Sequence, residues 1–337
     1  MNDSIYDMYQ RPLRDLRISV IDRCNFRCTY CMPKEVFGDN YAFLPQSELL
    51  SYEEISRLVA IFSKLGVKKI RLTGGEPLLR KNLQELISQI HLVDGIEDVA
   101  LTTNGLLLDQ QAQALYDAGL RRLNISLDAL DEELFGKMNG RGIAPARILQ
   151  NIDYAKQLGF EIKVNMVVEK GVNEQEIIPM MNYFKDYDIT LRFIEFMDVG
   201  NDNGWSYEKV VTKQEMLQQL QQIYTLTPVE QAYYGEVAKY YQYDQHKAKI
   251  GFITSVSESF CSTCTRLRLS SEGKLYTCLF AADGFDLRAM LRSGASDQEL
   301  IEAISQVWQQ RTDRYSDERT AYTAKHRKKV NMSYIGG

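Results

Sequence analysis

The chain has 337 residues, which is enough for one large domain and a smaller one. Hydrophobic residues make up 45% of the sequence and charged residues 25%, a balance typical of globular proteins. The formal net charge of −5 argues against general nucleic-acid binding, which needs a basic surface, so an anionic ligand would need a local cluster of basic side chains.

Short apolar runs alternate with helical patterns between residues 16 and 197. Strands are predicted at 16–21, 68–73, 98–103, 122–127, 161–168 and 190–197. Helices are predicted between them at 51–65, 82–91, 108–118, 145–158 and 174–186. Ser51 and Glu54 have the spacing of a capping box at the start of the first helix. Regular alternation of strand and helix predicts a parallel sheet.

Five of these strands carry polar side chains at alternate positions, and alternate side chains share one face of a strand. The polar positions are Arg17 and Ser19; Lys69, Arg71 and Thr73; Thr102 and Asn104; Asn124, Ser126 and Asp128; and Lys163 and Asn165. If helices cover the apolar faces, the polar faces line an interior. The simplest fold is an α/β partial (β/α)6 barrel, similar to a TIM barrel, with its site at the C-terminal ends of the strands. Antiparallel strands with one solvated face are the alternative.

The pattern changes after about residue 225. A tyrosine-rich strand pair is predicted at 236–243 and 248–256, a hairpin near 266–278 and a helix at 297–311. These elements predict a smaller α+β domain. We therefore divide the chain into a barrel core, 1–225, and a C-terminal domain, 226–337.

The sequence has no recognisable segment for export or membrane insertion. Its first residues, MNDSIYDMYQRPLRD, lack an apolar stretch behind a basic head. No apolar run approaches the roughly 20 residues of a membrane helix. We expect a cytoplasmic protein, in which cysteines are reduced thiols or metal ligands.

The first group of cysteines, in CNFRCTYC, follows the first predicted strand. Cys24, Cys28 and Cys31 supply three thiolates, which can bind three irons of a 4Fe–4S cluster and leave the fourth iron open. Zinc is the alternative metal, although structural zinc usually needs four ligands and no fourth is nearby in sequence.

The CxxxCxxC spacing after a first barrel strand, together with LTGGEPLL at 72–79, resembles the radical S-adenosylmethionine (SAM) superfamily. The resemblance implies that the open iron chelates the methionine moiety of SAM, and that an electron from the cluster releases a 5′-deoxyadenosyl radical. It also implies cofactor contacts from Tyr30, Gly75, Ser126 and Met197. Simple packing is the alternative role for Tyr30 and Met197.

The second group of cysteines is Cys261, Cys264 and Cys278, again three thiolates, for which zinc is a stronger rival. In an extended segment Cys264, Arg266 and Arg268 share one face. Arginine suits phosphate oxygens, although the pair also fits a solvated strand face. The predicted interior already holds basic residues, namely Arg17, Lys69, Arg71 and Lys163. Buried like charges repel unless an anion neutralises them, which points to a polyanion such as a nucleoside triphosphate.

Several longer segments, RDLRISVIDRCNFRCTYCMP, TTNGLLL, RFIEFMDVG and the terminal Gly-Gly, are similar to the GTP 3′,8-cyclase (MoaA) family of molybdenum cofactor biosynthesis. The resemblance implies a second 4Fe–4S cluster whose open iron binds guanine. It implies GTP contacts from Arg17, Arg71, Thr102, Lys163, Arg266 and Arg268, with Lys69 as a helper. It also implies that Gly336 and Gly337 reach the active site and are needed for turnover, whereas a disordered tail is the usual state of a chain end.

The same resemblance implies a reaction and partners. The radical removes hydrogen from the ribose 3′ carbon of GTP, this carbon bonds to carbon 8 of the base, and a reduction completes the turnover. The partners implied are GTP, an external one-electron donor and a downstream enzyme, cyclic pyranopterin monophosphate synthase, with no nucleic acid or membrane. The residues leave the oligomeric state open, including a homodimer.

Two other functions fit parts of the sequence. One is a radical SAM maturase that modifies peptides or proteins and carries an auxiliary cluster, although such enzymes usually have more C-terminal cysteines. The other is an iron–sulfur or zinc protein without enzymatic activity, against which the open coordination site at each cysteine group weighs.

Overall fold

The protein is described by a computed structural model of residues 4–244 and 246–337. Residues 1–3 and residue 245 lie outside the described part of the chain. The predicted core domain, 1–225, and the N-terminal segment tested for an export signal both begin with these three residues. Six parallel strands form the centre of the sheet in chain order. They are β1 Asp15–Ser19, β2 Lys69–Thr73, β3 Asp98–Thr103, β4 Arg122–Ser126, β5 Glu161–Val168 and β6 Thr190–Glu195. The six predicted strands are confirmed, with ends that shift by a residue or two.

Helices connect these strands and cover the outer face of the sheet. They are α1 Tyr52–Lys64, α2 Leu83–His91, α3 Leu108–Asp117, α4 Glu132–Met138, α5 Pro145–Gln157 and α6 Ile177–Phe184. The predicted capping box is present: Ser51 Oγ accepts from the Glu54 N–H, and the Glu54 carboxylate accepts from the Ser51 N–H. Helix α4 was not predicted.

The helix predicted over 174–186 is α-helical only in its middle. Residues Glu174–Glu176 and Lys185–Tyr187 form 3₁₀ turns on either side of α6. Pro179 explains the late start, because proline has no N–H to donate and is tolerated only in the first turn of an α-helix.

The later strands extend the same sheet at both of its edges. They are β7 Leu226–Pro228, β8 Lys239–Tyr243, β9 Lys249–Ile253, β10 Arg266–Leu269, β11 Lys274–Tyr276 and β12 Phe285–Asp286. The resulting order is β12-β11-β10-β1-β2-β3-β4-β5-β6-β9-β8-β7. Strand β9 pairs in parallel with β6, and β10 pairs in parallel with β1. The sequence predicted the two hairpins but not their addition to the barrel sheet.

Helix α7 Lys213–Gln221 precedes these strands, and five helices follow the hairpin of β10 and β11. They are α8 Leu287–Arg292, α9 Asp297–Gln309, α10 Tyr315–Glu318, α11 Ala321–His326 and α12 Met332–Ile335. The domain boundary proposed at residue 225 falls in the connection between α7 and β7. Helix α9 was predicted, whereas the short helices of the tail were not.

The hydrophobic core lies between the sheet and its helices. Leu16 and Ile18 of β1 and Leu72 of β2 are fully buried there against helix residues such as Leu58 and Phe62. The alternating polar residues therefore face inward, as the alternation predicted. Across residues 4–244 and 246–337, no helix combines the length and apolar character needed to cross a lipid bilayer.

Candidate active site

A cavity of about 320 Å³ opens on the inner face of the sheet, and both cysteine groups line it. Every site residue predicted from the sequence lines this cavity except Gly336. They are Arg17, Cys24, Cys28, Tyr30, Cys31, Lys69, Arg71, Gly75, Thr102, Ser126, Lys163, Met197, Cys261, Cys264, Arg266, Arg268, Cys278 and Gly337. The fold thus brings together residues from both ends of the chain.

The loop after β1 carries the first cysteine group and is held by Arg27. The Arg27 guanidinium donates to the carbonyl oxygens of Cys24 at 2.8 Å and Phe37 at 2.6 Å. The Cys31 N–H donates to the Cys28 carbonyl at 3.1 Å, which gives the CxxC segment its tight turn. Burial, followed by the charge of Glu76, raises the pKa of Cys24 to about 12, and burial raises that of Cys31 to about 12. These thiols would lose their protons only to a strong positive centre such as iron.

The segment after β2 packs against this cysteine loop. A Cβ at Gly75 would overlap the carbonyl oxygen of Arg23, so only glycine allows the two backbones to come this close. The buried carboxylate of Glu76 accepts from the Asn104 N–H at 2.8 Å and from the Thr103 hydroxyl at 2.7 Å. Burial raises the pKa of Glu76 to about 7.

Tyr30 belongs to the loop of the first cysteine group, and the predicted cofactor contacts Ser126 and Met197 line the same cavity. The Tyr30 hydroxyl donates to Asp128 Oδ2 at 2.8 Å, just beyond Ser126 at the end of β4. Burial raises the pKa of Asp128 to about 6. Met197, two residues after β6, is half-buried against Val199 and Phe280. Tyr30 is therefore fixed by more than packing.

The second cysteine group lies across the cavity and is held by two buried arginines. Arg11 donates to the Cys261 carbonyl at 2.7 Å. Arg311 donates to the Cys264 carbonyl at 2.9 Å and to Cys264 Sγ at 3.1 Å. Burial by itself raises the pKa of Cys264, but Arg266 and Arg311 together lower it to about 6. The sequence did not single out either of the buried arginines, because both lie far from the cysteines along the chain.

Three arginines stand side by side on neighbouring strands between the two cysteine groups. Arg17 of β1 is in register with Arg71 of β2 and with Arg268 of β10. Burial and the other two arginines, together with Arg266, lower the pKa of Arg17 well below its usual value. Burial, then Arg192, lowers the pKa of Arg71 to about 10, and burial, then Arg266, lowers that of Arg268 to about 9. Such a row of like charges is stabilised by a bound polyanion.

Arg71 of this row and Thr102 of β3 each bury a polar atom that lacks a hydrogen-bond partner. Among the described residues, Arg71 Nε and Thr102 Oγ1 are buried without a hydrogen bond. Buried donors without partners are rare and costly in folded proteins. Both belong to residues predicted to bind substrate, and an oxygen-rich ligand would satisfy them.

The basic surface continues along the cavity wall. The Lys69 ammonium lies 3.1 Å from the ring centroid of Tyr233. Burial, then Arg122 and Arg192, lowers the pKa of Lys163 to about 8. Arg192 of β6 also lines the cavity and donates to Asn165 Oδ1 at 2.8 Å. Arg192 was not predicted as a site residue, although its alternation with Leu191 and Phe193 along β6 was a usable signal.

The C-terminal residues lie at the arginine row. The carbonyl oxygen of Gly336 accepts a hydrogen bond from Arg268, and Gly337 lines the cavity. Gly336 has φ +76°, and a Cβ there would overlap the Thr73 side chain. The chain end is therefore packed inside the site, where a side chain would not fit.

The donor chemistry of each cysteine group fits an iron–sulfur cluster with one open iron. Each group presents three thiols to the same cavity, and Cys24, Cys28, Cys31 or Cys261, Cys264, Cys278 could each hold one cluster. In the described part of the chain, no three His, Cys, Asp or Glu side chains are gathered closely enough to hold a single metal ion.

Two family profiles match consecutive parts of the chain. Residues 18–184 match the Radical SAM superfamily, and residues 189–317 match Molybdenum Cofactor Synthesis C. The second match begins at residue 189, just before β6, and so overlaps the predicted boundary of residue 225.

Known proteins resemble the chain over its whole length. It is 59% identical to the GTP 3′,8-cyclases of Staphylococcus aureus strain MRSA252 and Staphylococcus saprophyticus, with complete coverage of both sequences in each case. A crystal structure of Streptococcus suis SuiB bound to S-adenosylmethionine superposes with a TM-score of 0.61 at 16% identity, over 89% of this chain and 67% of that one. The last likeness concerns the fold alone.

Proposed function

Because the chain belongs to the GTP 3′,8-cyclase family of radical SAM enzymes, we propose that it converts GTP into 3′,8-cyclo-7,8-dihydroguanosine triphosphate, an early step of molybdenum cofactor biosynthesis. The observation that carries this proposal is the in-register row of Arg268, Arg17 and Arg71, which runs between two three-cysteine groups in one cavity. A triphosphate neutralises that row, and each cysteine group leaves room for a ligand on its metal.

SAM binds on the side of the first cysteine group in this proposal. Cys24, Cys28 and Cys31 would hold a 4Fe–4S cluster, which would supply the electron for the reductive cleavage of SAM. Gly75, packed against the Arg23 carbonyl of the cysteine loop, borders the methionine moiety. Tyr30, held by Asp128, borders the cofactor, and Ser126 and Met197 complete its surroundings.

GTP binds on the side of the second cysteine group. Arg17, Arg71 and Lys163 bind phosphate oxygens, with Lys69 released from the Tyr233 ring as a further donor. Arg266 and Arg268 hold the nucleotide beside Cys261, Cys264 and Cys278, which would hold a second 4Fe–4S cluster with one iron free for the guanine. Thr102 Oγ1 and Arg71 Nε gain their missing hydrogen bonds in this complex.

These residues orient the ribose toward the SAM side of the cavity. The 3′ carbon loses one hydrogen atom and bonds to carbon 8 of the base, and one electron and one proton from outside complete the product. Gly336 and Gly337 close the arginine side of the cavity and keep bulk water away from the reacting atoms. The electron donor and the downstream enzyme, cyclic pyranopterin monophosphate synthase, act from solution, since the cavity opens to the surface.

Anaerobic reconstitution tests this function directly. The purified chain is loaded with iron and sulfide and its iron is counted. It is then incubated with a reductant and SAM, with and without GTP. We expect two clusters, and GTP-dependent release of 5′-deoxyadenosine together with a cyclised guanine nucleotide. Zinc at either cysteine group would contradict the assignment of an iron–sulfur cluster to that group. Release of 5′-deoxyadenosine that does not depend on GTP would contradict GTP as the substrate.

A peptide-modifying maturase is the second candidate, and the row of buried arginines disfavours it. A peptide substrate carries no triphosphate to neutralise Arg17, Arg71 and Arg268. The likeness to SuiB does not favour this candidate either, because 16% identity is informative about the fold alone.

A further inference from the structure

The buried carboxylate of Asp198 accepts hydrogen bonds from three side chains of the C-terminal tail, which we define as residues 312–337. Its Oδ1 accepts from Arg319 Nε at 2.9 Å, its Oδ2 accepts from Lys329 Nζ at 2.8 Å, and it also accepts from the Tyr315 hydroxyl. All four side chains belong to residues that are at most 8% exposed. Asp198 directly follows Met197, in the turn after β6.

The same turn also forms hydrogen bonds to the backbone of the tail at Lys329. Asn201 Nδ2 donates to the Lys329 carbonyl at 2.6 Å, and Asn201 Oδ1 accepts from the Lys329 N–H at 3.1 Å. Lys329 Nζ also donates to the Asp198 carbonyl at 2.8 Å and to the Ala324 carbonyl at 2.9 Å. Helix α12 follows and leads to Gly336, whose carbonyl reaches Arg268.

Electrostatics make this carboxylate hard to replace. Two cations, Arg319 and Lys329, are buried around it, and buried cations need a paired and hydrogen-bonded anion. Without Asp198, the tail would have to expose both cations to water and so leave its place against the turn.

We propose that Asp198 is a positioning residue that fastens the C-terminal tail to the turn after β6 and thereby sets Gly336 and Gly337 beside Arg268. This inference rests on the proposed function for the part that the two glycines play in turnover. Because Met197 and Asp198 are neighbours, the SAM side of the cavity and the tail are held by one turn.

The test compares two adjacent lysines in the full-length, reconstituted enzyme. Lys329→Met removes the bonds of the ammonium to the Asp198 carboxylate and to the carbonyls of Asp198 and Ala324. It leaves the Asp198–Arg319 pair, so the chain still folds. Lys328→Met alters an exposed neighbour and is the control. We expect Lys329→Met to speed hydrogen exchange in residues 330–337 about tenfold, as for a lost hydrogen bond to a charged group. We expect kcat for GTP to fall about as much, with an unchanged KM for SAM and unchanged iron content.

Each result decides between a positioning and a merely structural role. Unchanged exchange in residues 330–337, or an equal effect of Lys328→Met, would overturn the proposal. A loss of iron or of SAM binding in parallel with kcat would also overturn it, because it would indicate general destabilisation. Faster exchange with unchanged kcat would refute the link from the tail to turnover.

A second variant and the wild type separate this inference from the proposed function. Asp198→Asn keeps the shape of the side chain but leaves both cations without a carboxylate, so we expect faster exchange than in Lys329→Met. If the wild-type enzyme does not convert GTP, the proposed function fails. The exchange measurements then still decide whether Asp198 fastens the tail.

Discussion

Single side chains concentrate positive charge in a protein that is acidic as a whole. The net charge is −5, yet Arg17, Arg71 and Arg268 share one register line on adjacent strands. Their pKa values fall because burial and the charges of nearby arginines, inside and outside the row, disfavour the charged forms. Such a row is costly in the empty protein and favourable in its anionic complex, which is the mark of a binding site rather than of a structural network.

Arg266→Ala tests the contribution of one guanidinium at the second cysteine group. We expect GTP to bind about 10- to 100-fold more weakly, which corresponds to the roughly 1.5–3 kcal/mol of a hydrogen bond to a charged group. Cleavage of SAM remains possible. Equilibrium dialysis with GTP measures the affinity, and Arg147→Ala is the exposed control, since Arg147 pairs with Asp109 and neither residue lines the cavity. An unchanged GTP affinity in Arg266→Ala would count against the anion-binding face.

Lys163 gives the cavity a pH dependence. Burial, then Arg122 and Arg192, lowers its pKa from 10.5 to about 8. Between these two values the unfolded chain binds more protons than the folded one, so the contribution of this group to stability rises with pH across that window. Bound phosphate favours the ammonium form, and GTP binding should therefore take up a proton just above pH 8.

Calorimetry in buffers with different ionisation enthalpies measures this uptake. Lys163→Met should lose it, whereas the exposed Lys328→Met should keep it. Identical proton uptake in Lys163→Met and the wild type would assign the titration to another group.

At the scale of elements, the N-terminal segment and the end of α9 together support the loop of the second cysteine group. Asp7 Oδ2 accepts from Arg11 Nε at 2.6 Å, and Arg11 and Arg311 donate to the carbonyls of Cys261 and Cys264. The Trp308 indole of α9 donates to the Arg11 carbonyl at 3.2 Å. Elements that are far apart along the chain thus fix the loop of the second cysteine group.

Arg311→Gln tests the hydrogen bond that the Arg311 guanidinium donates to Cys264 Sγ. A positive donor at a ligating sulfur favours the reduced cluster, so we expect the variant to lower the reduction potential of the second cluster. Redox titration followed by electron paramagnetic resonance measures it, in a background where Cys24, Cys28 and Cys31 are alanine. Arg147→Gln, at an exposed arginine that does not line the cavity, should leave the potential unchanged. A full second cluster with wild-type potential in Arg311→Gln would contradict this role.

At the scale of the whole molecule, one twelve-stranded sheet joins both halves of the chain. Strands β1 and β6, the ends of the six-strand barrel, are each covered by a strand from beyond residue 225. Exposed sheet edges are prone to pair with other chains. The proposed boundary at residue 225 therefore divides the sequence but not the sheet, because strands from the two sides of it are hydrogen-bonded to each other.

A fragment of residues 1–225 tests whether the barrel core folds alone. We expect it to aggregate or to lack a cooperative thermal transition, because both edge strands and the inner cations lose their cover. Circular dichroism and size-exclusion chromatography compare it with the full chain. A monomeric fragment that melts cooperatively would show instead that the predicted core is an independent domain.

The sequence by itself determined the features that depend only on residues close together along the chain. Strand and helix alternation, the inward face of Arg17 and Arg71, and the spacing of Cys24, Cys28 and Cys31 all follow from local periodicity. Residue types at those positions were enough to predict the family, whose members match over the full chain.

Only the tertiary structure decided how distant segments meet. The register that aligns Arg268 with Arg17, the bond from Arg311 to Cys264 and the attachment of the tail to Asp198 join residues that are far apart along the chain. Local propensity carries no information about such pairings, because they are set by strand order and by the packing of helices on the sheet. The cavity therefore depends on the fold, although all of the site residues predicted from the sequence except Gly336 line it.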